Sequence, residues 1–354
     1  MVARACVIGG GIIGAASAWH LAQGGAEVTV VEAGTAPGGT ATAASWAWIN
    51  ASWGHPAPYV ALRMAAMADW RTLDETVGGL APDWGGGLLW DIAPEPLRSF
   101  VAERAAQGYG IRLVGGAEAA RIEPALANPP ALAAHAPGEG SIEPVPAARR
   151  LIAASGARVI GGVAVDGLRV NHGRVEGVRI GGKTMPCDMV LIAAGAGAGV
   201  LLAGVHLALS MTAPPGLLAR TAPLPRLLNG LVMTPGFHAR QLVDGSLLAG
   251  GDFGGSDPGT DPAAEAEALV AAVRGAIRGA EGARLAGYTI GNRPTPGDGL
   301  PAVGWVPGIE GLYLSLSHSG VTLAPALGRM AAAEMLHDRR DPLLNPFGPG
   351  RLIA

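Results

Sequence analysis

Lysine is almost missing from this chain. Lys183 is the only one, so arginine carries nearly all of the positive charge. It sits in RIGGKTM, a glycine turn that should face solvent. A buried Schiff-base lysine of the kind pyridoxal phosphate needs is therefore not expected. Cysteine is nearly as scarce. Cys6 and Cys187 each begin or precede an apolar run, which suits small buried hydrophobes and supports neither a disulfide framework nor a C-x-x-C metal site, so no metal is expected. Charged residues make up 15% of the chain, the net charge is −3 and no basic block stands out, so nucleic acid is not an expected partner. Long hydrophobic runs are few. Residues 189–211 are long enough to span a bilayer and carry no formal charge unless His206 is protonated. They divide into a strand, a Gly/Ala turn and a second apolar segment, so no transmembrane segment is expected. No removable leader precedes the first apolar run, which points to a cytoplasmic location.

What is present is ample material for a core and a great deal of glycine. Of 354 residues, 49% are hydrophobic and 56 are glycine, which suits one large or two interleaved domains. That bias dilutes the information in any single glycine. One stretch stands out nevertheless: RACVIGGGIIGAASAWHLAQGGAEVTVVE, residues 4–32. A short apolar run enters a glycine turn, the turn opens a helix-like segment, Gly24 and Gly25 stop it, and a second apolar run ends at Glu32. This is a βαβ unit with G-x-G-x-x-G at Gly9, Gly11 and Gly14. Gly9 allows the tight turn, Gly11 lets a pyrophosphate approach the backbone, and Gly14 lets the helix pack closely on the strand. The helix N-terminus offers free N–H groups and the positive end of its dipole to the phosphates. A carboxylate at Glu32 accepts from a ribose diol and repels a 2′-phosphate, which argues against NADP. A strand before, a helix after and an acid at this distance make the dinucleotide reading specific.

Beyond Glu32, Gly38 and Gly39 form a flexible loop. Small hydroxyl residues then alternate with tryptophan, and six of the eight tryptophans fall between Trp46 and Trp90. Ser45 and Asn50 there either touch a phosphate or cofactor edge or merely belong to a loop anchored by tryptophan. The spacing predicts a helix over 58–77, with Leu62, Ala66, Trp70 and Leu73 on one face. A strand within 79–95, a helix over 95–108, a short helix and turn over 114–124 and a Pro/Ala/Gly connector over 129–140 follow. A helix over 144–155 and a strand over 156–160 precede paired strands over 163–170 and 175–180, joined by NHGR. Asp188 leads into MVLIAAGAGA, which returns the chain to the nucleotide-binding sheet. Residues 217–255 read as two or three antiparallel strands, 261–279 as a helix and 286–292 as a strand. The chain closes with a strand over 312–316 and a helix to about residue 337. His238 and Arg240 lie two apart on one strand face, which leaves open both a pocket wall and a solvent-facing edge.

Three separated motifs, VIGGGIIG…VVE, CDMVLIAAGAGA, and GNRPTPGDGLPAVG followed by GLYLSLSHSGVTLAPALG, together resemble the D-amino-acid oxidase-like flavoproteins, which include glycine oxidase, sarcosine oxidase and D-amino-acid dehydrogenase. The resemblance covers the whole chain. It implies an α/β fold, in which a Rossmann-type FAD-binding domain (1–50, 140–215 and 288–354) interleaves with an α+β substrate domain on an antiparallel sheet (51–139 and 216–287). It implies FAD held by Gly9, Gly11, Ile12, Ile13, Gly14, Glu32, Ala33, Ser45, Val165, Ala194, Gly195, Ser319, Gly320, Val321 and Thr322. In SHSGVTLAP, Gly320 allows close backbone approach, Thr322 is a candidate N-cap and Pro325 falls in a first helical turn. A helix N-terminus there stabilises negative charge on a reduced flavin by roughly 0.3–2 kcal/mol.

The resemblance also implies that Arg293 clamps a substrate carboxylate through two parallel hydrogen bonds. His318 borders the flavin, and His238 or Arg240 lines the pocket. The implied reaction is oxidation of the C–N bond of a small amino acid or N-alkyl amino acid by hydride transfer to flavin N5, giving an imine. The electron acceptor is O2 or a quinone or other carrier. A 2-hydroxy acid or ring-amine substrate, or a flavin-binding subunit inactive without a partner, are the alternatives. Two departures matter. No cysteine stands near the R-P segment, so FAD should be non-covalent. The lysine that some relatives set beside the flavin has no counterpart, which leans towards a dehydrogenase or towards another cation, such as His238 or Arg240, for reaction with oxygen.

Overall fold

The computed structural model describes residues 2–53, 56–252 and 255–354. The end of the tryptophan-rich loop at 54–55 and part of the 217–255 segment at 253–254 lie outside the described residues.

The βαβ unit forms as expected: strand Arg4–Ile8, helix Ile12–Gln23, strand Glu27–Glu32. It sits at the middle of a six-stranded sheet in the order Ala302–Trp305, Leu312–Leu316, Met189–Ile192, Arg4–Ile8, Glu27–Glu32, Arg158–Gly161. The last five are parallel and Ala302–Trp305 is antiparallel to its neighbour. Alternation along Arg4–Ile8 divides the two faces. Ala5 and Val7 join the core under the helices Ile12–Gln23, Pro144–Ser155 and Gly320–His337. Cys6 and Ile8 face the opposite core, with Val175 and Val178 of Arg174–Ile180, the middle strand of a three-stranded antiparallel sheet with Gly167–Asn171 and Lys183–Pro186. Both cysteines are buried, and Lys183 is exposed at the start of the strand Lys183–Pro186. The helix Pro262–Ala276, capped by the Asp261 carboxylate on the Ala264 N–H, buries Leu269, Val270 and Val273 against one face of an eight-stranded sheet. That sheet is antiparallel except where Leu231–Met233 runs parallel to Gly87–Leu89. No described helix is long and apolar enough to cross a membrane.

Several expectations need correction. The 129–140 connector contains the strand Leu132–Ala136, paired on both sides in the larger sheet. Its LAAHA sequence has no β-branched residue, so partners rather than propensity make it a strand. Residues 217–255 supply parts of four strands, not two or three. The strand expected from 163 starts only at Gly167. The C-terminal helix starts at Gly320 with Ser319 as N-cap, so Thr322 is not the cap and Pro325 lies inside the helix rather than in its first turn.

That proline explains a contact between helices. Having no N–H, Pro325 cannot donate to the carbonyl of Val321 four residues back. The indole Nε1 of Trp70 donates to it instead, at 2.9 Å. Trp70 lies on the buried stripe of the helix Ala57–Val77, which packs along Gly320–His337. Replacing Trp70 with Phe leaves that carbonyl buried and unsatisfied, at about 1–3 kcal/mol. Adding Pro325→Ala restores a helical donor. Urea unfolding of the two single variants and the double variant should therefore show a coupling in which Pro325→Ala recovers part of the Trp70→Phe loss.

Candidate functional site

A cavity of about 680 Å³ runs from the glycine turn to the start of the C-terminal helix. Its size suits an organic cofactor. At one end the backbone makes the site. Gly9 has φ +104°, and a Cβ there would press on the Ala193 carbonyl at the end of the neighbouring strand. A Cβ on Gly14 would collide with the Gly9 carbonyl oxygen. Glu32 is 7% exposed, and it accepts the N–H groups of Gly10 at 2.6 Å and Gly34 at 2.7 Å. Each carboxylate oxygen keeps a second lone pair for a diol. Thr42 Oγ1 accepts the Ile12 N–H at 3.0 Å and so fixes the entry of the first helix.

Most of the expected cofactor residues line this cavity: Gly9, Gly11, Ile12, Ile13, Glu32, Ala33, Ser45, Val165, Ala194, Gly195, Gly320 and Val321. Gly14 acts behind it through helix packing. Ser319 and Thr322 instead face a second chamber, and Thr322 Oγ1 donates to the Trp48 carbonyl at 2.8 Å. Thr40, Thr42, Arg149 and Ser317 also line the cavity and were not anticipated. The hydroxyls of TATA directly after Gly38 and Gly39 were the available signal.

The other end of the cavity is positive. Gly320 and Val321 open the C-terminal helix against it, and Ser319 makes no side-chain cap, so the first N–H groups and the dipole end face the lining. Arg293 follows the strand Leu285–Asn292 and precedes Pro294, which lines the cavity. The backbone N–H of Arg293 donates to Pro214 O and its Nη2 to Pro215 O at 3.2 Å, while Nε is buried without a partner among the described residues. His318 lies on the wall shared with the second chamber. Burial, then the charges of Arg293 and Arg63, hold its imidazole down to about 4.

His238 and Arg240 do share one face of the strand His238–Gln241, and both are buried rather than solvent-facing. Neither lines the cavity. His238 Nε2 pairs with Asp91 Oδ2 at 3.0 Å beside Trp46. Arg240 donates to the carbonyls of Trp46 at 2.6 Å and Ile142 at 3.2 Å and pairs with Glu143 at 3.1 Å, a brace between segments. Arg63 was missed. It is 3% exposed and donates to Asn50 O at 3.0 Å, Asn50 Oδ1 at 2.6 Å and Ser319 Oγ at 3.0 Å. An arginine on the same helical stripe as Ala66 and Trp70 was the signal for it.

Residues 4–334 match the family model described as FAD dependent oxidoreductase, and the chain belongs to that family. It is similar to a glycine oxidase of Pseudomonas aeruginosa, 29% identical over 99% of this chain and all of the relative. Among solved structures it is similar to glycine oxidase from Geobacillus kaustophilus, with a TM-score of 0.87 and 26% identity over 98% of this chain and 99% of the other. An L-proline dehydrogenase from P. horikoshii, TM-score 0.87 at 22% identity over 99% and 97% of the chains, shares the fold. The protein is an FAD-dependent oxidoreductase, with the α/β fold of that family.

Two outcomes follow from this geometry. Gly14→Ala should yield a protein that retains little or no FAD, read as the ratio of flavin to protein absorbance after purification. His318, whose pKa is depressed, is neutral well above about pH 5, so its protonation contributes no limb to kcat/KM in the neutral range. His318→Gln should leave the shape of the pH–rate profile there unchanged, whatever it does to the rate.

Proposed function

We propose that the enzyme oxidises the C–N bond of a small amino acid or N-alkyl amino acid to an imine, which water then hydrolyses. The observation that supports this best is the position of Arg293, next to Pro294 of the cavity wall though not itself in the lining, with a partly buried guanidinium whose Nε has no partner among the described residues. FAD, when bound, supplies the hydride acceptor. In this reading the Gly9–Gly11 turn, Glu32 and Thr42 hold its nucleotide end, and His318, Gly320 and Val321 border its ring system. Binding is non-covalent, as both cysteines are buried elsewhere. Residues 1–50, 140–215 and 288–354 form the FAD-binding portion, with 51–139 and 216–287 forming the substrate portion.

Arg293 takes the substrate carboxylate in a bidentate pair and so presents the α-carbon to the ring; orientation of this kind supplies much of the rate. The helix N-terminus at Gly320 lowers the energy of negative charge that develops beside it. His318 stays neutral there and adds no competing charge. No protein base is required when the amine binds unprotonated. The electron acceptor is O2 or a quinone or other carrier.

An anaerobic titration of the yellow protein with D- and L-amino acids, sarcosine, proline and hydroxy acids tests this reading. Bleaching by an amine supports it, and bleaching by hydroxy acids alone refutes it. Arg293→Met removes hydrogen bonds worth about 1.5–3 kcal/mol each, so kcat/KM should fall by roughly 10²-fold or more. Unchanged kcat/KM would remove Arg293 from the site.

A further inference from the structure

The diphosphate of a dinucleotide is doubly negative, and the cavity that receives it offers little to balance that charge. Glu32 and Arg149 are the formally charged side chains of its lining among the described residues. His318, the other titratable group there, is held neutral. Glu32 stands beside the glycine turn, so its carboxylate opposes the phosphates that the turn brings close. The positive end of the first helix is equivalent to roughly half a charge and fades within a turn. It does not by itself offset a diphosphate and a carboxylate.

Arg149 lies where a counter-charge is needed. It belongs to the helix Pro144–Ser155, and its Nε donates to the Pro37 carbonyl at 2.9 Å. Pro37 sits on the loop that leaves Glu32 and folds back across the glycine turn. The Gly38 N–H donates to the Gly10 carbonyl at 3.0 Å, and a Cβ on Gly10 would lie 3.4 Å from Pro37 Cα. Val145 of the same helix backs this loop, since a Cβ on Gly38 would lie 2.8 Å from its Cγ1. One helix therefore holds the loop down and presents a guanidinium beside the turn where the backbone approaches a pyrophosphate.

The rest of that guanidinium is unused. Arg149 makes no ion pair, and its two terminal nitrogens have no partner among the described residues. The adjacent Arg150 is the contrast. Its Nε and Nη2 donate to the carbonyls of Gly78 at 2.9 Å and Val77 at 2.8 Å, which closes the end of the helix Ala57–Val77. Arg150 is absent from the cavity lining. Of two consecutive arginines, one is occupied at a helix end and the other keeps four N–H donors at the cavity.

We propose that Arg149 is the counter-charge for the diphosphate of the bound cofactor, its Nη groups binding phosphate oxygens while its Nε keeps the 34–39 loop closed over the glycine turn. A planar guanidinium suits two such oxygens at once. Loop and arginine together form a strap that slows release of the dinucleotide. The role is retention rather than chemistry, and it holds whatever substrate the enzyme oxidises.

The test is the rate at which FAD leaves the holoprotein, read as the flavin absorbance that stays with the protein after timed dilution and ultrafiltration. Arg149→Gln keeps a donor for the Pro37 carbonyl and removes the charge. Its release at low salt should be faster by about fivefold or more, because an exposed guanidinium–phosphate contact is strong only where salt does not screen it. Arg149→Lys restores the charge and should recover most of the loss. Salt should speed release from the wild type and hardly change it in Arg149→Gln, while Arg150→Gln keeps the salt dependence of the wild type. A purified Arg149→Gln protein without flavin beside a yellow Arg149→Lys also supports the proposal. Release from Arg149→Gln at the wild-type rate would make Arg149 a neutral brace for Pro37 and overturn it, as would an unaltered salt dependence in that variant. A crystal structure of the wild-type holoprotein decides the geometry independently. An Arg149 Nη within hydrogen-bond distance of a phosphate oxygen is expected, and a guanidinium turned away from both phosphates refutes the assignment.

Discussion

The first turn of the C-terminal helix is gripped by the helices Ala57–Val77 and Ile12–Gln23, and the reactive end of the site depends on that grip. Pro325 leaves the Val321 carbonyl without a helical donor, and Trp70 supplies one. One face of Ala57–Val77 thus presents Trp70 to Val321 and, two turns earlier, Arg63 to Ser319. Thr322 fixes the same turn to Trp48. Trp48 is tied in turn to Glu139, a fully buried carboxyl that also takes the Tyr109 hydroxyl at 2.7 Å and that burial pushes up to about 7. A helix end fixed at this many points presents its N–H groups in one geometry. That preorganisation lets a dipole act on developing charge without rearrangement at the moment of reaction.

Charge is sorted along the cavity. Glu32 supplies the acceptor at one end, where a ribose would meet it, and the N–H groups of Gly10 and Gly34 hold its carboxylate in place. Arg293, Arg63 and the helix N-terminus gather at the other end. His318 stands among them and is held neutral by burial and by both guanidinium groups. A long dinucleotide with polar sugar and phosphate groups at one end and an electron-accepting ring at the other fits this gradient. The reverse orientation would put the ribose diol at the positive end and leave Glu32 beside the ring.

Features set by local backbone geometry were legible in the sequence. The glycine turn, Glu32 and the two strands around them follow from spacing alone, because Gly9 and Gly14 must lack a Cβ for that turn to close. The order of the three motifs carried the family. Features created by pairing across the chain were not legible. Leu132–Ala136 reads as a connector because nothing in its composition favours a strand, and its partners are distant in sequence. Arg63 reaches a serine 256 residues away. A periodicity argument places it on a helix but gives no reason for a charge on the buried stripe. His238 and Arg240 were placed on the correct face, while the cavity they were expected to line passes them by, since Asp91 and the Trp46 carbonyl hold them instead.

The most direct test of this arrangement is the crystal structure of the FAD-loaded protein. The pyrimidine edge of the flavin should lie against Gly320 and Val321, with the adenosine ribose on Glu32 and the Trp70 contact to Val321 intact. A flavin whose ring lies away from that helix end, or a ribose that does not reach Glu32, would contradict it.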